Sequence, residues 1–385
     1  MTLKPLKIAF DASATPEHLV GAGYYVKEIV KLLDLNEEIE LHLITRKEDA
    51  ERFKKFAPNS KIHNVAPNHI ATRMSYQAYR LGVFVDSLGV DVFHGPHYQL
   101  PFKMKTKSVV TIHDTTMLTH KDMHHLKKAL YFSKMIPFVV KKADCIITVS
   151  NSSAKDVENI FDIKDNVFVA QLGFDKKRFF PYESKTDKRR NIDIDLLSNR
   201  GISGNYIGFL GLLEPRKSIP TLIEAFTNIA KDFSDVKLII AGAQGWGVDD
   251  IRELVVKSGI ASRIIFPGRL SDIEAGAFMR QSQVFVYPSL YEGFGLPVLE
   301  SMACGTPTIT TDTSSLKEVA GSGVSAGALL IKPGDEKKLS IYLKQLLGDE
   351  KSRIDYSKKA VKRASSFSWE KCVQVHIDAY KSAIS

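Results

Sequence analysis

Short runs of β-branched and aromatic residues alternate with helical stretches twice over along this chain, and a polar segment separates the two sets. The first set of runs is Lys7–Phe10, Leu41–Thr45, Val90–His94, Val109–His113, Cys145–Val149 and Val167–Ala170. Between them apolar residues recur at helical spacing, most clearly over Tyr24–Leu33 and Ile70–Leu88. The second set is Tyr206–Leu210, Val236–Ala241, Ile264–Pro267, Val284–Tyr287 and Thr308–Thr310. Continuous apolar strands need cover on both faces, and intervening helices supply it, so each set predicts an open parallel sheet with helices on both sides. The fold class is therefore α/β: two Rossmann-like domains with parallel sheets facing across a cleft, and ligands at the carboxyl ends of the strands. A chain of 385 residues is too long for one ordinary core and suits two.

The domains are expected at 1–180 and 205–366. The stretch 181–204 carries Lys185, Lys188, Arg189 and Arg190 without sustained periodicity, and reads as a connection with an extended surface loop. From 367 to 385 a last helix opens behind Ser368, a suitable N-cap. No apolar run approaches the roughly 18 residues of a membrane helix, and the first residues lack the apolar core of a signal peptide. Cys145, Cys304 and Cys372 are few and far apart, which points to a reducing, cytoplasmic setting without a disulfide framework. The net charge of +9 favours anionic partners without choosing among phosphates, lipid and nucleic acid.

One segment concentrates chemistry. Glu292 and Glu300 flank a Gly-rich loop after the strand Val284–Tyr287, with the second glutamate inside a helix that the loop opens. Gly293 and Gly295 let backbone N–H groups approach a ligand closely, and Phe294 and Leu296 complete the turn into the helix. A helix N-terminus adds unpaired donors and a positive dipole end, suited to phosphate. With the anion on the backbone, both carboxylates are free for hydroxyls, and a nucleotide-sugar offers a sugar, a ribose and the diphosphate between them. Arg216 and Lys217 stand at another helix start, where the dipole disfavours cations unless an anion lies between; a solvated charge pair in a turn is the plainer alternative. His113 ends the strand Val109–Ile112, where a side chain can face a ligand, although a strand-capping histidine is the commoner fate. Gly21 and Gly23 form only part of a G-x-G-x-x-G pattern.

These blocks, in this order, resemble family 4 of the retaining GT-B glycosyltransferases. The resemblance runs from Asp11–Tyr25 through Ile112–Asp114, Val149–Ser150, Leu210–Lys217, Ala241–Trp246 and Glu292–Glu300 to Phe367–Lys371, and inclines to the mannosyltransferase-like branch. It implies a catalytic pair, His113 and Glu292, with Glu292 holding hydroxyls of the donor sugar. It implies donor contacts from Gly23, Arg216, Lys217, Leu270, Gly293, Phe294, Gly295, Leu296 and Glu300, the last on the ribose. It also implies a final helix, 367–385, that packs back on the N-terminal domain. Many members carry Arg where this chain has Leu212, so Arg216 and Lys217 are left with more of the phosphate work. No metal or other cofactor is expected, since cations and helix dipoles can stabilise the leaving diphosphate; Asp193 and Asp195 mimic a metal-binding pair but lie in the connecting segment. His94 and His97 have metal-like spacing without an evident third ligand, and His120, His124 and His125 read as a surface helix start.

The implied reaction transfers a hexose, mannose from GDP-mannose before a UDP- or dTDP-sugar, to a glycan or lipid-linked acceptor of an envelope polysaccharide. Nucleic acid is not an expected partner. The lysines between Lys103 and Lys142, interleaved with Phe102, Tyr131, Phe132, Met135 and Phe138, fit either peripheral contact with anionic membrane or an ordinary solvated helix. Two rivals stay open: a nucleotide-sugar epimerase on the same fold, and a catalytically silent polyanion-binding protein.

Overall fold

The computed structural model describes residues 4–385 apart from 18, 20, 124, 125 and 248. His124 and His125 thus lie outside the described residues, as do the side chains of Lys127 and Lys128. The chain divides into two compact units, residues 1–173 with 368–385, and residues 174–367.

In chain order the first unit holds β1 (Leu6–Asp11), α1 (Ala22–Asp34), β2 (Ile39–Arg46), α2 (Ala50–Phe56), β3 (Lys61–Ala66), α3 (Ile70–Tyr79), α4 (Leu81–Ser87), β4 (Val92–Gly95), β5 (Lys107–Ile112), α5 (Thr116–Thr119), α6 (Leu126–Lys142), β6 (Cys145–Thr148), α7 (Asn151–Phe161) and β7 (Val167–Val169). The second holds α8 (Arg189–Ser198), β8 (Tyr206–Leu210), α9 (Ile219–Ile229), β9 (Lys237–Ala241), α10 (Asp249–Lys257), β10 (Ile264–Gly268), α11 (Asp272–Gln281), β11 (Val284–Tyr287), α12 (Leu296–Ala303), β12 (Thr308–Thr311), α13 (Ser314–Ala320), β13 (Leu329–Ile331), α14 (Glu336–Gly348) and α15 (Glu350–Ala364). The last helix, α16 (Trp369–Ile384), returns to the first unit.

Among the described residues the first sheet has seven strands in the order β3-β2-β1-β4-β5-β6-β7, and the second has six, β10-β9-β8-β11-β12-β13. Every pairing is parallel. In each sheet the order reverses at one place, between β1 and β4 and between β8 and β11, and loops leaving such neighbours diverge to make a crevice. The central strands are apolar and wholly buried, as in Val284–Tyr287, because helices cover both faces.

Each strand read from the sequence is present, and two more appear. β3 is half polar and lies at a sheet edge, so it shows no apolar run; β13 is apolar, Leu-Leu-Ile, but only three residues long. The expected continuous helix over Ile70–Leu88 is two helices. The Phe102 N–H takes the Ala78 carbonyl at 2.8 Å, the acceptor an unbroken helix would give to Gly82, and the helix breaks at Arg80. The connection expected over 181–204 contains α8, which belongs to the second unit. Buried Asp193 on α8 holds Arg280 of α11 through two bonds of 2.7 and 3.0 Å, and accepts from Tyr182 at 2.6 Å. Asp193 is thus a structural anchor. The change of unit comes at Gly173 rather than at 180, because Arg280 also binds the Arg178 carbonyl at 2.6 Å and so fixes that stretch to α11.

Helix α16 is capped by Ser368, whose hydroxyl accepts from Lys371 N–H. Its face of Trp369, Cys372, Val373, His376, Ile377 and Tyr380 is buried at helical spacing. The three cysteines are free and buried.

Candidate active site

The switch point of the second sheet carries most of the expected donor residues. β8 and β11 are hydrogen-bonded neighbours, so the loops beyond their carboxyl ends, one with Arg216 and Lys217, the other with Glu292, meet. Arg216 and Lys217 sit in a short 3-10 turn, Pro215–Lys217. The Leu290 N–H donates to the Arg216 carbonyl at 2.8 Å, which locks the two loops together. Beside them the blocks 211–217 and 241–246 pack backbone to backbone. Gly242 has φ +145°, and a Cβ there would stand 1.7 Å from the Gly211 carbonyl oxygen, so only glycine fits.

Glu292 is buried and its carboxylate is fully occupied. One oxygen accepts from Lys217 Nζ, from Ser289 Oγ at 2.7 Å and from Tyr287 Oη at 3.1 Å; the other accepts from Arg216 at 2.7 Å. Its backbone is held by Ser314 and Ser315 at the start of α13, at 3.0 and 2.8 Å. Burial pushes the carboxyl up, but Arg216 and Lys217, with the bonds from Lys217 and Ser289, outweigh it and hold it at about 2. Burial draws the Lys217 ammonium down despite Glu292. Arg216 also touches Glu214 at 2.5 Å and keeps 22% of its side chain exposed, against 5% for Lys217. The sequence expectation placed both cations on a phosphate and Glu292 on a sugar. In this structure they are engaged with one another, since opposite charges brought out of water are stable only when paired. Tyr287, Ser289 and Ser314 were not picked out from the sequence; the only local hint was Ser289, three residues before Glu292 in the same loop.

From Glu292 the chain turns into α12. Gly295 is the N-cap with φ +100°, a conformation costly for any residue with a Cβ. Pro297 stands in the first turn, where its missing N–H removes a donor that would be unpaired anyway. Phe294 is buried edge-on against Phe367 at 5.9 Å, so its side chain serves packing. Gly293 is half-buried beside it, and Leu296 opens the helix. Glu300, one turn further on, is half-buried, and among the described residues no hydrogen bond reaches its carboxyl. Burial pushes that carboxyl up; Arg178 opposes, Asp272 and Asp175 reinforce, and the result is about 8. Arg178 was not foreseen, because it lies more than a hundred residues upstream. Leu270 is buried just after β10, where Gly268 turns the chain at φ +77°; its side chain belongs to the core.

The remaining expected residues lie in the first unit. Gly23 is buried in the first turn of α1. His113 leaves the end of β5 half-buried. Its Nε2–H donates to the Pro96 carbonyl at 2.9 Å, since a carbonyl can only accept, and Nδ1 therefore carries the lone pair. Burial lowers the pKa of this imidazole, against the Pro96 carbonyl and Asp114, which favour the cation. Tyr25 packs edge-on against the His113 ring with centroids 4.9 Å apart. His94, noted for its spacing to His97, is wholly buried between Tyr380 and Thr111 at 2.7 and 2.8 Å.

In the second unit, then, a helix N-terminus, two cations and two carboxylates of opposite character stand beyond the carboxyl ends of the strands. One carboxylate is held ionised and paired; the other is raised and, among the described residues, takes no hydrogen bond. Such a set can take a polyol-bearing anion.

Residues 20–178 match Glycosyltransferase Family 4, and residues 199–363 match Glycosyl transferases group 1. The chain is 28% identical to O-antigen chain mannosyltransferase B of Escherichia coli, over 98% of this chain and all of that one. It is 30% identical to an uncharacterized glycosyltransferase of Methanocaldococcus jannaschii, over 92% of this chain and 93% of that one. In fold it is similar to Anabaena HepE, solved in complex with UDP-glucose, with a TM-score of 0.75 at 18% identity over 98% of this chain and 100% of that one. The chain belongs to the family 4 glycosyltransferases of the GT-B fold, and within them resembles the mannosyltransferases.

Proposed function

We propose that the chain transfers a hexose, with retention of configuration, from a nucleotide-sugar to a hydroxyl of a glycan or lipid-linked acceptor in polysaccharide synthesis. The observation that carries this is the Glu300 carboxyl: raised to about 8, without a hydrogen-bond partner among the described residues, and one turn inside a helix whose N-terminus is built on Gly293 and Gly295. A group in that state gains most from hydroxyl donors, and the cis-diol of a ribose supplies two. The diphosphate then lies against the N–H groups at the start of α12. Arg216, the more exposed cation, reaches it with less rearrangement than Lys217. As the diphosphate draws these cations, Glu292 takes hydroxyls of the donor sugar in their place.

In the reaction the bond from the sugar's anomeric carbon to the diphosphate breaks and a bond to the acceptor oxygen forms on the same face. The acceptor's proton passes to the leaving phosphate oxygen. His113, neutral and with Nδ1 open as an acceptor, holds a hydroxyl of the reacting sugars. No metal enters this scheme, because protein cations and the helix dipole meet the developing charge.

Mannose from GDP-mannose is the first choice of donor, supported by the name of the E. coli relative; the UDP-glucose complex of the Anabaena protein supports a nucleotide-sugar in general and keeps UDP-sugars second. An epimerase finds less support, since the relatives above are named as transferases. Among the described residues no helix is long and apolar enough to cross a membrane. The exposed pair Tyr79 and Phe102, in edge-on contact at 5.2 Å, and exposed Leu126 and Leu130 next to the lysines of α6 support peripheral contact with anionic lipid.

The test ranks GDP, UDP, dTDP and ADP by thermal shift, because a cognate nucleotide raises stability by mass action. The matching sugar donor is then incubated alone and with a lipid-linked acceptor. Transfer only in the presence of acceptor supports the reading; turnover of UDP-N-acetylglucosamine without acceptor supports the epimerase. A response to polyanions with none to any nucleotide leaves only binding.

A further inference from the structure

We infer that His376 and Tyr25 are positioning residues for His113, so that α16 sets the geometry of the reacting centre from beneath it; this rests on the placement of His113 in that centre. His376 Nδ1 lies 2.7 Å from the Cys372 carbonyl oxygen, which can only accept, so Nδ1 carries the proton and Nε2 of the neutral ring carries a lone pair. Tyr25 Oη, 2.7 Å from that Nε2, must therefore donate to it. Its oxygen is left to accept from Thr111 Oγ1, also 2.7 Å away. With its proton directed at Tyr25, Thr111 Oγ1 accepts from His94 Nε2–H at 2.8 Å. His94 Nδ1 is then the acceptor for the Tyr380 hydroxyl at 2.7 Å.

Five bonds thus point one way around a loop that leaves α16 at Tyr380, crosses β4 and β5, passes through α1, and returns to α16 at His376. Tyr25, His94, Thr111, His376 and Tyr380 are all wholly buried. Reversing one bond would leave an unpaired donor or two facing protons somewhere in the loop, and a buried polar group without a partner is costly. The chain of bonds therefore fixes the Tyr25 ring and the backbone of β5 at Thr111 together.

His113 stands on both. It follows Thr111 by two residues, so its Cβ leaves the strand on the same face. Its ring meets the Tyr25 ring edge-on, 4.9 Å between centroids and 88° between planes. Tyr98 and His97 flank it at 5.8 and 5.2 Å. The Pro96 carbonyl fixes which nitrogen is protonated, and Tyr25 fixes where the ring lies. None of this is legible in the sequence, because His376 lies 263 positions from His113 and reads as one more polar residue on an amphipathic helix.

The test uses the full chain with His376→Leu, His376→Gln, Tyr25→Phe and, as a control, Ile377→Ala. Ile377 is buried on the same helix and takes no part in the loop. His376→Leu and Tyr25→Phe both break the bond that holds the Tyr25 ring. Each is expected to lower kcat on the order of tenfold or more, as a displaced reacting group does, with nucleotide affinity unchanged. His376→Gln, which can still offer Tyr25 an acceptor, is expected to recover most of the rate. Ile377→Ala is expected to lose thermal stability with little change in kcat. Independently of any turnover, the ring-proton NMR signal of His113, assigned through its loss in His113→Ala, should move in His376→Leu and Tyr25→Phe and stay put in Ile377→Ala. A chain with no transferase activity would remove the functional reading while leaving this NMR test in force. An unmoved His113 signal in folded His376→Leu and Tyr25→Phe would overturn the inference, as would a loss of kcat no larger than in Ile377→Ala.

Discussion

Replacing Glu300 by glutamine is expected to strengthen the fold and weaken the ligand. The folded carboxyl titrates at about 8 instead of 4.5. Between those values the folded chain keeps a proton that the unfolded chain has released, so stability falls as pH rises through this window. At about 1.4 kcal/mol per pH unit the full loss, reached above pH 8, is about 5 kcal/mol, an upper figure because the group is half-buried and water screens it. Glutamine has no charge to bury. Glu300→Gln should match the parent near pH 4.5 and exceed it by a few kcal/mol at about pH 9. Urea unfolding at three pH values measures this. The ligand responds in the opposite sense. If ribose hydroxyls donate to the carboxylate, binding requires an ionised Glu300, which at pH 7 costs about 1.4 kcal/mol. Nucleotide affinity should then rise about tenfold between pH 6 and 7, with proton release visible as a buffer-dependent heat. In the variant this pH dependence should vanish and affinity should fall by about 1–3 kcal/mol at pH 8. A variant less stable than the parent at about pH 9 would refute the account of burial. Unchanged nucleotide affinity in a folded variant would refute the ribose contact.

Glu292→Gln should lower stability by about 3–5 kcal/mol in chemical denaturation, because it leaves buried Lys217 and Arg216 short of their counter-charge. Added pyrophosphate should restore more of that loss than it adds to the parent, and equal gains would argue against cations that exchange partners. His113→Ala should reduce transfer on the order of 100-fold with nucleotide affinity nearly kept, measured by initial rates and calorimetry; near-normal turnover would return His113 to capping its strand. Activity should survive excess EDTA, and loss with recovery on Mn²⁺ would overturn the metal-free scheme. Sedimentation with vesicles should show salt-sensitive binding to anionic lipid, weakened by charge reversal at Lys127, Lys128 and Lys134; no difference between anionic and neutral vesicles would remove the membrane contact.

The strands were legible because a buried parallel strand is a solid apolar run, and β8 and β11 show this plainly. β3 was not, since an edge strand needs no such run, and β13 was not, since three apolar residues are too few to mark a strand. The break at Arg80 was hidden because its cause, the Phe102 N–H, lies 24 residues past the Ala78 carbonyl it takes. The site divides in the same way. The loop 292–295 declares itself by glycine and the helix after it. That Arg216 and Lys217 close on Glu292 depends on β8 and β11 being neighbours, which strand runs alone do not order. The state of Glu300 depends on Arg178 and Asp272, which only the fold brings near it.

The first unit is made of two pieces of chain, residues 1–173 and 368–385, and this bears on the order of its own birth. On the ribosome the first piece emerges early, with Tyr25, His94 and Thr111 already built. Their partners His376 and Tyr380 are absent until residues 174–367 have been made. At about 5–20 residues per second that interval is on the order of 10–40 s. For that time the sheet has an uncovered flank, with buried-type hydroxyl and imidazole groups turned to water. The second unit, continuous in sequence, has no such delay. The nascent protein is therefore expected to mature from its middle outward, and messages or proteolytic events that remove the last eighteen residues should release chains whose second unit is sound and whose first is left open to chaperones.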